Sequence, residues 1–496
     1  MSDYAYLGLD LGGTAVKAGV FGTSGEMLGF AGRSCGPVCS ECLTPPQPSP
    51  KGGGGRAEVD IADIYAAARG ATREAVSASG AEIGAMAISS QGQTFVSLDE
   101  NDNPLHRAII WYDSRAAEQA DRLREAVGTE APPLLIEAIA AGPKVMWLRE
   151  ANPELMRRAR RFLLLPDYFT YRLTGEAVTD PTTAASTGLC ADGEQGYYLP
   201  ALAAAEIGEG ELARILPSGT SVSTVRADVA REWGLSDKTR VVIGTNDQYA
   251  GALGAGNCEA GIVTETTGTC LALVTLTDKL PDPMQAGLLG GSFPIPGCWF
   301  VLAYAKTAGL VLDWFNREFC PGKTLKQLDE MAASSPIGSG GVTVLPHFDG
   351  MVSPEPNPNA RGFICNLMLG NTVFDVYRAI LEALSFSLRE NIELLRDSGL
   401  HPDLIRSIGG GAKSDLWLQM KADVTGMSVE RPRVTEAATL GAAMLAAVGA
   451  GEFRSVKECS QNLYKAEKVF VPDPGSRLEY DAAYEAYRGL CRKVYG

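Results

Sequence analysis

The sequence has few basic residues for its length and no hydrophobic run long enough to cross a membrane. Lys and Arg number 44 against 59 Asp and Glu, which gives a formal net charge of −15 over 496 residues. Nucleic acids and anionic membranes are bound through clustered Lys and Arg, so this surface repels both. The longest uncharged run near the end of the chain, residues 437–451, is shorter than a bilayer span and predicts a buried helix. We therefore expect neither a nucleic acid nor a membrane as a partner.

The cysteines lack any regular spacing. There are 11 of them, an odd number that is typical of reduced thiols in a cytosolic enzyme rather than of a disulfide framework. Residues 1–10 also lack the basic segment and the long apolar core of a secretory signal. These absences predict a cytoplasmic protein.

Regular secondary structure is not expected at residues 35–56, which read CGPVCSECLTPPQPSPKGGGGR. Proline and glycine are too dense there for a helix or a strand, so the segment is predicted to be a disordered insertion. Its thiols, Cys35, Cys39 and Cys42, fall short of the four ligands of a closed zinc site, and no histidine lies nearby in the sequence. We therefore predict a loop without a metal.

Two common nucleotide-binding motifs are also missing. Residues 405–426 read IRSIGGGAKSDLWLQMKADVTG, in which a strand is predicted to end at 409–411 and a helix to follow from Ser414. The stretch is not G-x-x-x-x-G-K-[ST], and no glycine-rich turn fits G-x-G-x-x-G followed by an acid. Its glycines still expose backbone to a ligand at a helix N-terminus. The sequence thus predicts a ligand-binding floor that is neither a P-loop nor a dinucleotide motif.

The chain does contain two similar hairpins. Residues 6–22 read YLGLDLGGTAVKAGVFG and turn at Gly12 and Gly13. Bare backbone N–H groups and a hydroxyl at such a turn suit phosphate oxygens, and Asp10 beside the turn suits Mg²⁺ held through water. A tight hairpin with a solvated aspartate is the alternative. Residues 260–276, AGIVTETTGTCLALVTL, repeat the pattern with a turn at 266–269.

The spacing of the hairpins bears on domain organisation. They lie about half the chain apart, and 496 residues exceed what one hydrophobic core usually organises. A phosphate-type turn that opens each half indicates two related domains facing each other across a cleft. We predict a first domain at 1–256 and a second at 257–496.

A lone acid lies between a hydrophobic strand and a small-residue helix in GTNDQYAGALGAG, residues 244–256. The acid is Asp247. An Asn-Asp pair before a helical pattern is also an ordinary N-cap. The stretch by itself leaves a structural and a chemical role open.

Taken together, these motifs resemble those of the FGGY carbohydrate kinases. The matching stretches are DLGGT (10–14) with Lys17, PKVMWLRE (143–150), GTNDQ (244–248), TTGT (266–269), ARGFICNLMLGNTVFDVYRAILEAL (360–384), GGGAKSDLWLQMKADVTG (409–426) and TEAATLGAAMLA (435–446). The resemblance implies an α/β fold of two ribonuclease-H-like domains, as in the actin, hexokinase and Hsp70 superfamily. It also implies ATP and Mg²⁺ between the domains and a sugar deep in the cleft.

The resemblance implies roles for individual residues. Asp247 matches the catalytic aspartate, which accepts the proton of the sugar hydroxyl as that oxygen attacks the γ-phosphorus, and Asp10 and Asp247 are the implied Mg²⁺ ligands. The implied nucleotide-binding residues are Gly12, Gly13, Thr14 and Lys17 in the first phosphate loop, Thr267, Gly268 and Thr269 in the second, Gly410, Gly411 and Ala412 in the adenosine motif, and Gly309 and Asp313 on the nucleotide side.

The segment 87–116 resembles the sugar-binding loop of the family. Gln93 and Trp111 match positions that touch the sugar, and Gln248 follows the catalytic acid in the same manner. An amide both donates to and accepts from hydroxyl groups, and an indole offers a flat apolar face, so the substrate is expected to be a neutral polyol. Asp113 and Arg115 in the same loop are equally consistent with a structural ion pair.

Several departures from the family pattern bear on the substrate. Xylulokinases carry Met-His where this chain has Gly92-Gln93, and glycerol kinases carry Arg-Glu. GMVSP at 350–354 replaces the GER-x-P of pentulokinases, which removes two charges, and Gly13 stands where many members have threonine.

The expected function is ATP-dependent phosphorylation of a sugar hydroxyl, with D-xylulose as the first candidate and a homodimer as one assembly open to the chain. The alternatives are a kinase of another ketose or polyol, such as ribulose, fuculose, glycerol or erythritol, and a non-catalytic relative that senses a sugar or a nucleotide. A chaperone-like ATPase of the same superfamily would have no use for Gln93, Trp111 and Asp247 together.

Overall fold

The computed structural model describes residues 4–36, 39–40, 56–132, 134–193 and 196–496, which divide into two compact units. The first unit is drawn from residues 1–256, 292–296 and 436–463, and the second from 257–291, 297–435 and 464–496. The prediction of two functional domains divided after residue 256 stays a prediction. By packing, however, the segment 436–463 lies in the first unit, although the sequence-based division assigned it to the second domain.

The elements up to residue 256 are, in chain order, β1 (Tyr4–Leu11), β2 (Ala15–Phe21), β3 (Met27–Ser34), β4 (Cys39–Ser40), β5 (Ala57–Val59), α1 (Ile61–Ser79), β6 (Glu82–Ser90), β7 (Phe95–Leu98), β8 (Ala108–Ile109), α2 (Ala117–Val127), α3 (Ala141–Ala151), α4 (Pro153–Met156), β9 (Arg161–Leu164), α5 (Leu165–Thr174), β10 (Val178–Thr179), α6 (Pro181–Ala185), α7 (Leu199–Ala204), β11 (Arg214–Ile215), β12 (Ser221–Thr224), α8 (Ala227–Trp233), β13 (Arg240–Asn246) and α9 (Asp247–Gly254). The remaining elements are β14 (Ile262–Thr267), β15 (Leu271–Thr277), β16 (Leu288–Ser292), β17 (Trp299–Ala305), α10 (Gly309–Phe319), α11 (Leu325–Ala332), β18 (Thr343–Leu345), β19 (Phe363–Cys365), α12 (Val373–Asp397), β20 (Leu404–Gly409), α13 (Asp415–Thr425), β21 (Ser428–Pro432), α14 (Ala437–Ala450), α15 (Val456–Leu463), β22 (Ala466–Phe470) and α16 (Arg477–Tyr495).

The main sheet of the first unit has six strands in the order β12-β13-β6-β1-β2-β3. The predicted N-terminal hairpin is confirmed, since β1 and β2 pair antiparallel with Asp10 opposite Lys17. Strand β6 runs parallel to both β1 and β13, and Ser89 lies opposite Asp10 on one side and Thr245 on the other. Because parallel strands end at the same edge of a sheet, this register brings the ends of β1, β6 and β13 together.

Helix α14 packs against β1 and α9 at contact distances that only glycine permits. A Cβ at Gly8 would lie 1.8 Å from the Thr439 carbonyl oxygen, and a Cβ at Gly441 would lie 1.9 Å from the Ala250 carbonyl oxygen. The predicted buried helix over 437–451 is confirmed, since Ala437 to Ala447 are almost all buried. Among the residues that the structure describes, no helix is long and apolar enough to cross a membrane.

A second sheet in the first unit, ordered β4-β5-β8-β7-β9, carries the loop that follows β8. Its first strand, Cys39–Ser40, pairs antiparallel with β5. This strand falls inside the predicted insertion 35–56, so the expectation that no strand forms there is wrong at these two residues. Most of the predicted insertion, residues 37–38 and 41–55, lies outside the described residues.

The second unit is built on a seven-stranded sheet in the order β16-β17-β15-β14-β20-β21-β22. The second predicted hairpin is confirmed by the antiparallel pairing of β14 with β15. Strand β14 also runs parallel to β20, with Thr267 opposite Gly409, so the hairpin turn and the glycine cluster meet at one edge. Each unit therefore has an antiparallel hairpin beside parallel strands with helices against the sheet, which confirms the predicted α/β fold class.

Candidate active site

Asp247 is the first residue of α9 and follows β13 directly. The side chain of Asn246, not that of Asp247, caps the helix, since its Oδ1 accepts the Gln248 N–H at 3.0 Å. The structural role that the sequence left open is therefore filled by the neighbouring residue. Burial raises the pKa of Asp247, although backbone N–H groups at the helix start act in the opposite direction.

Asp10 is the second acid at this edge of the sheet. Its Oδ1 accepts a hydrogen bond from the Ser89 hydroxyl at 3.0 Å. Burial, and then the negative charge of Asp247, raise the pKa of Asp10 to about 7. A carboxyl group whose proton affinity is raised by the charge of a second acid suits a cation.

The residues around these two acids decide which kind of metal site they could form. In the described part of the chain, no cluster of three or more His, Cys, Asp or Glu could hold a metal ion. Mg²⁺ commonly binds through only one or two carboxylates, with waters and substrate phosphates completing its shell. The pair Asp10 and Asp247 therefore fits Mg²⁺ and does not fit a closed structural metal site.

The first phosphate turn is held by its own hairpin and by the strand that follows. The Gly12 N–H donates to the Ala15 carbonyl at 3.1 Å, and the Cys35 N–H donates to the Thr14 carbonyl at 3.2 Å. Thr14 is exposed and Gly13 is half-buried. Lys17 forms an ion pair with Glu436 at 2.6 Å, a partner that the sequence analysis missed.

Trp111 belongs to a loop that is held by a buried lysine. Its backbone N–H donates to the Thr94 hydroxyl at 3.0 Å, and the residue is 41% exposed. The fully buried Lys144 donates to the carbonyls of Ile110 at 2.9 Å and of Trp111 at 3.4 Å. Burial lowers the pKa of Lys144 to about 7. The indole is thus presented to solvent from a backbone that is fixed on both sides.

The ambiguity about Asp113 and Arg115 is resolved in favour of a structural pair. Asp113 is fully buried and accepts from the Ala57 N–H at 2.7 Å and from the Arg115 guanidinium at 2.6 Å. Arg115 also pairs with Glu58 at 2.8 Å. These contacts leave neither side chain available to a sugar.

Three glutamines lie in or beside the segments that are predicted to bind the sugar. The predicted residues are Gln93, which is half-buried, and Gln248, which is exposed. Gln91 was not predicted, yet it is 6% exposed, and its Oε1 has no hydrogen-bond partner among the described residues. A Cβ at Gly13 would lie 3.4 Å from that oxygen.

Thr267, in the second phosphate turn, points its hydroxyl into the protein. The hydroxyl donates to Glu265, and the Lys421 ammonium donates to both Glu265 at 2.8 Å and the Thr267 hydroxyl at 3.1 Å. Lys421 and Glu265 are 1% and 0% exposed, and Ser407 also bonds to Glu265. Gly268 and Thr269 are exposed, so they present the outer surface of this turn.

Gly309, at the start of α10, is hydrogen-bonded to the same turn through its backbone. Its N–H donates to the Gly268 carbonyl at 2.8 Å, and the Ala308 N–H donates to the Thr269 carbonyl at 3.0 Å. A Cβ at Gly309 would lie 2.3 Å from the Gly268 oxygen. Only glycine permits this close approach of the start of α10 to the turn.

The glycine cluster after β20 packs on the other side of the turn. Gly409 has a φ of 82°, and a Cβ at Gly411 would lie 2.6 Å from the Thr267 Cβ. Gly410 is exposed, whereas Ala412 is buried and its carbonyl accepts from Arg431 at 3.2 Å. Side chains at 409 or 411 would therefore push the turn outward.

A cavity of about 940 Å³ opens between this turn, α10, α11 and the start of α13. Its volume suits a nucleotide-sized ligand. The predicted residues Asp313, Gly309, Gly410 and Gly411 line it, together with Thr267 and Gly268. Sequence reasoning missed Tyr377, Trp417 and Asp329, of which Tyr377 donates to Asp329 at 2.9 Å.

Comparison with protein families now identifies the class. Residues 5–254 match the N-terminal domain, and residues 262–450 the C-terminal domain, of the FGGY family of carbohydrate kinases. The chain belongs to this family. It is therefore an ATP-dependent carbohydrate kinase that acts on a small-molecule sugar substrate.

Individual members of the family resemble this chain over nearly its whole length. The chain is 29% identical over 490 residues to a xylulose kinase of Bacillus subtilis (strain 168), covering 98% of this chain and 96% of the relative. It is 30% identical over 490 residues to a glycerol kinase of Dechloromonas aromatica (strain RCB), covering 95% and 94%. The crystal structure of a xylulose kinase from Rhodospirillum rubrum superposes with a TM-score of 0.84 at 25% identity and covers 99% of each chain. The predicted fold of the actin and hexokinase superfamily is confirmed by these full-length likenesses.

Proposed function

We propose that this carbohydrate kinase transfers the γ-phosphate of ATP to a hydroxyl of a ketopentose, with D-xylulose as the first candidate. The single observation that carries the proposal is the position of Asp247 at the start of α9, beside Asp10 and relieved of helix capping by Asn246. The resemblance to xylulose kinases over nearly the whole chain supports the substrate.

Asp247 acts as the general base. An unperturbed aspartate titrates near about 3.9, and burial raises the pKa of Asp247, which makes its carboxylate a better proton acceptor. Phosphoryl transfer depends mostly on positioning and on charge stabilisation, so an oriented carboxylate beside the hydroxyl suffices. Gln93, Gln248 and the Trp111 face orient the sugar for the attack.

Asp10 and Asp247 are the residues that would hold Mg²⁺. A bound Mg²⁺ neutralises charge on the transferring phosphate and on these two acids. Ser89 orients Asp10 through the hydrogen bond at 3.0 Å. Lys17, Thr14 and the backbone of the first turn add positive charge and donors for the phosphates.

The cavity of the second unit holds the adenosine. Gly410 and Gly411 leave its floor open to the nucleotide, and the backbone of Gly268 and Thr269 faces the phosphates. Since the Thr267 hydroxyl is committed to Glu265, the phosphate contacts of this turn come from its backbone and from Thr269. Asp313 lines the same cavity.

A larger ketose is the second candidate. Gly92 stands where xylulokinases carry methionine, and a Cβ at this position would begin 3.1 Å from the Asn246 amide nitrogen. A side chain at Gly92 would therefore crowd Asn246, so this chain does not present the methionine with which xylulokinases meet the sugar. Ketohexoses therefore belong in the substrate panel.

The test is an ATP-consumption assay on ketopentoses, ketohexoses and polyols with the parent enzyme and with Asp247→Asn. The parent is expected to turn over D-xylulose fastest. Asp247→Asn is expected to lower kcat by about 10² to 10⁴, the usual contribution of a positioned base, with little change in sugar affinity. Asp113→Asn is the control, because its buried pair with Arg115 predicts a loss of stability rather than of the chemical step. If the folded Asp247→Asn variant keeps the full kcat of the parent, Asp247 is not the general base.

A further inference from the structure

Asp329 is a half-buried acid in the wall of the cavity of the second unit. Its Oδ1 accepts a hydrogen bond from the Tyr377 hydroxyl at 2.9 Å, and the Ser414 hydroxyl also hydrogen-bonds to this carboxyl group. Within the described part of the chain, no Lys, Arg or His side chain forms an ion pair with it. Burial raises the pKa of Asp329, the two hydroxyl groups lower it, and the negative charge of Glu330 raises it further.

The carboxylate of Asp329 has acceptor capacity that the protein does not fill. An ionised carboxylate only accepts hydrogen bonds, and its two oxygens offer about four acceptor positions. Tyr377 and Ser414 occupy two of them. A charge that is partly removed from water is costly until further donors reach it, so this wall of the cavity favours a ligand that carries a hydrogen-bond donor.

The neighbours of Asp329 on α11 suit a flat base. Leu325, Asp329 and Ala333 are spaced by four residues, which puts them on one face of the helix. All three line the cavity, and the two apolar residues are exposed there. The wall thus presents a carboxylate between two apolar surfaces. A purine base has the matching character, with apolar faces and a polar edge, whereas a ribose carries hydroxyl groups and the phosphates are charged.

The phosphate end of the cavity lies at the start of α10. The Gly309 N–H donates to the Gly268 carbonyl at 2.8 Å, so this helix begins in contact with the second phosphate turn. Asp313 lines the cavity four residues later, which is about 6 Å along the helix axis. We therefore expect the ribose beside Asp313, and this order leaves Asp329 on α11 to the base.

The edges of the purine bases differ in what they offer to a carboxylate. Adenine carries an exocyclic amine, which donates hydrogen bonds. Hypoxanthine and guanine carry a carbonyl oxygen at the same position, which only accepts. Two acceptors that face each other in a partly desolvated site leave both without a donor, which is unfavourable.

We propose that Asp329 accepts a hydrogen bond from the exocyclic amine of adenine and thereby selects ATP over nucleotides whose base carries a carbonyl oxygen at that position. This inference rests on the proposed placement of the adenosine in this cavity. Tyr377 is the positioning residue, because its side chain is 1% exposed and its hydroxyl holds the carboxylate from the buried side.

The test uses nucleoside diphosphates, which carry the base but no phosphate that could be transferred. ADP and IDP are titrated by calorimetry, with Mg²⁺ present, into the parent enzyme and into Asp329→Asn. The parent is expected to bind ADP about tenfold or more tightly than IDP. Asp329→Asn is expected to gain affinity for IDP and to bring the two Kd values within about threefold, because an amide both donates and accepts. Damage to the fold would not produce such a gain.

Two further variants make the result decisive. Glu330→Gln is the matched control, since Glu330 is the next residue of α11 and lines the same cavity. It removes an equal charge from the same wall and is expected to keep the preference of the parent for ADP. Tyr377→Phe releases the Asp329 carboxylate from its fixed orientation. It is expected to narrow the preference, which tests the inference even if Asp329→Asn does not fold.

The outcomes separate the base from the ribose. An unchanged preference for ADP in Asp329→Asn and Tyr377→Phe would show that Asp329 does not meet the amine. If Asp329→Asn instead changes the affinity for 2′-deoxy-ADP or 3′-deoxy-ADP relative to ADP, the acid contacts the ribose and the proposal is wrong.

The placement of the adenosine is tested separately with Ala333→Trp, which adds a large side chain to the cavity wall beside Asp329. This variant is expected to weaken ADP and IDP alike. Unchanged affinities would place the adenosine elsewhere and would overturn both proposals about the cavity. Weakened binding in Ala333→Trp, with the preference for ADP retained in Asp329→Asn, would overturn only the role of Asp329. None of these titrations depends on which sugar is the substrate.

Discussion

Replacing Lys421 by methionine tests what holds the second phosphate turn. Lys421 donates to Glu265 at 2.8 Å, to the Thr267 hydroxyl at 3.1 Å and to Ser407 at 3.5 Å. Both members of the ion pair are essentially inaccessible, at 1% and 0% exposure. Lys421→Met keeps the volume of the side chain but leaves the Glu265 carboxylate buried without its cation.

The expected loss follows from that burial. Breaking a buried ion pair by removing one partner costs about 3 to 5 kcal/mol, because the remaining charge stays desolvated. Replacing both partners, in Lys421→Met with Glu265→Gln, is expected to bring stability back to within about 1 to 2 kcal/mol of the parent, since no buried charge remains. The single variant is also expected to weaken ATP binding, because the Thr267 hydroxyl loses a donor and the turn loosens.

The assay is urea unfolding together with calorimetric titration of ATP. The control is Lys468→Met, which breaks a half-exposed pair with Asp415 of the same unit and is expected to change stability by less than about 1 kcal/mol. The reasoning is refuted if Lys421→Met unfolds within about 1 kcal/mol of the parent, or if the double variant is less stable than the single one.

Three further predictions follow from buried groups and close backbone contacts. The pKa of Lys144 is lowered to about 7, so above that pH the unfolded chain binds more protons than the folded one. The free energy of unfolding should therefore rise between pH 7 and about 10. Denaturation of Lys144→Met at several pH values should lack this rise, and an identical pH dependence in both proteins would contradict the prediction. Gly441→Ala should lower the melting temperature, because its Cβ would lie 1.9 Å from the Ala250 oxygen. Gly489→Ala is the control: its Cβ would meet no atom of the described residues within 4 Å, and it should stabilise the protein by about 0.5 to 1 kcal/mol. Gly411→Ala should raise the Kd for ATP while sugar affinity is retained, since its Cβ would meet Thr267 at 2.6 Å; unchanged nucleotide titrations would show that the turn tolerates the shift.

The position of Asp247 was readable from local sequence. A hydrophobic strand, an Asn-Asp pair and a run of small helix formers determine a strand end followed by a helix start, and β13 and α9 begin and end accordingly. The two hairpins and the glycine cluster were readable for the same reason. Alternation, turn glycines and caps act over a few residues, so the chain specifies them without long-range contacts.

The residues that contact these motifs could be identified only from the tertiary structure. The alternating pattern of a strand does not show whether the Thr267 hydroxyl faces a phosphate or a buried ion pair. That depends on the position of Lys421, which lies 154 residues later in the chain. Gln91 and Gln93 are equally polar in sequence, yet Gln91 is 6% exposed whereas Gln93 is half-buried, a difference that tertiary packing creates. The role of Gly92 could be noticed as a departure, but its meaning depends on Asn246 across the sheet edge.

What the sequence by itself determined is the family, the α/β class, the two phosphate-type turns and the acid at the start of α9, since each depends on short patterns of residue type. What only the tertiary structure decided is which distant segments complete them. Helix α14 packs in the first unit because glycines at 8 and 441 let the backbones come into contact. The same packing of a late segment against the first unit also brings Glu436 to Lys17. Such contacts depend on the register of packed surfaces, which no local pattern encodes.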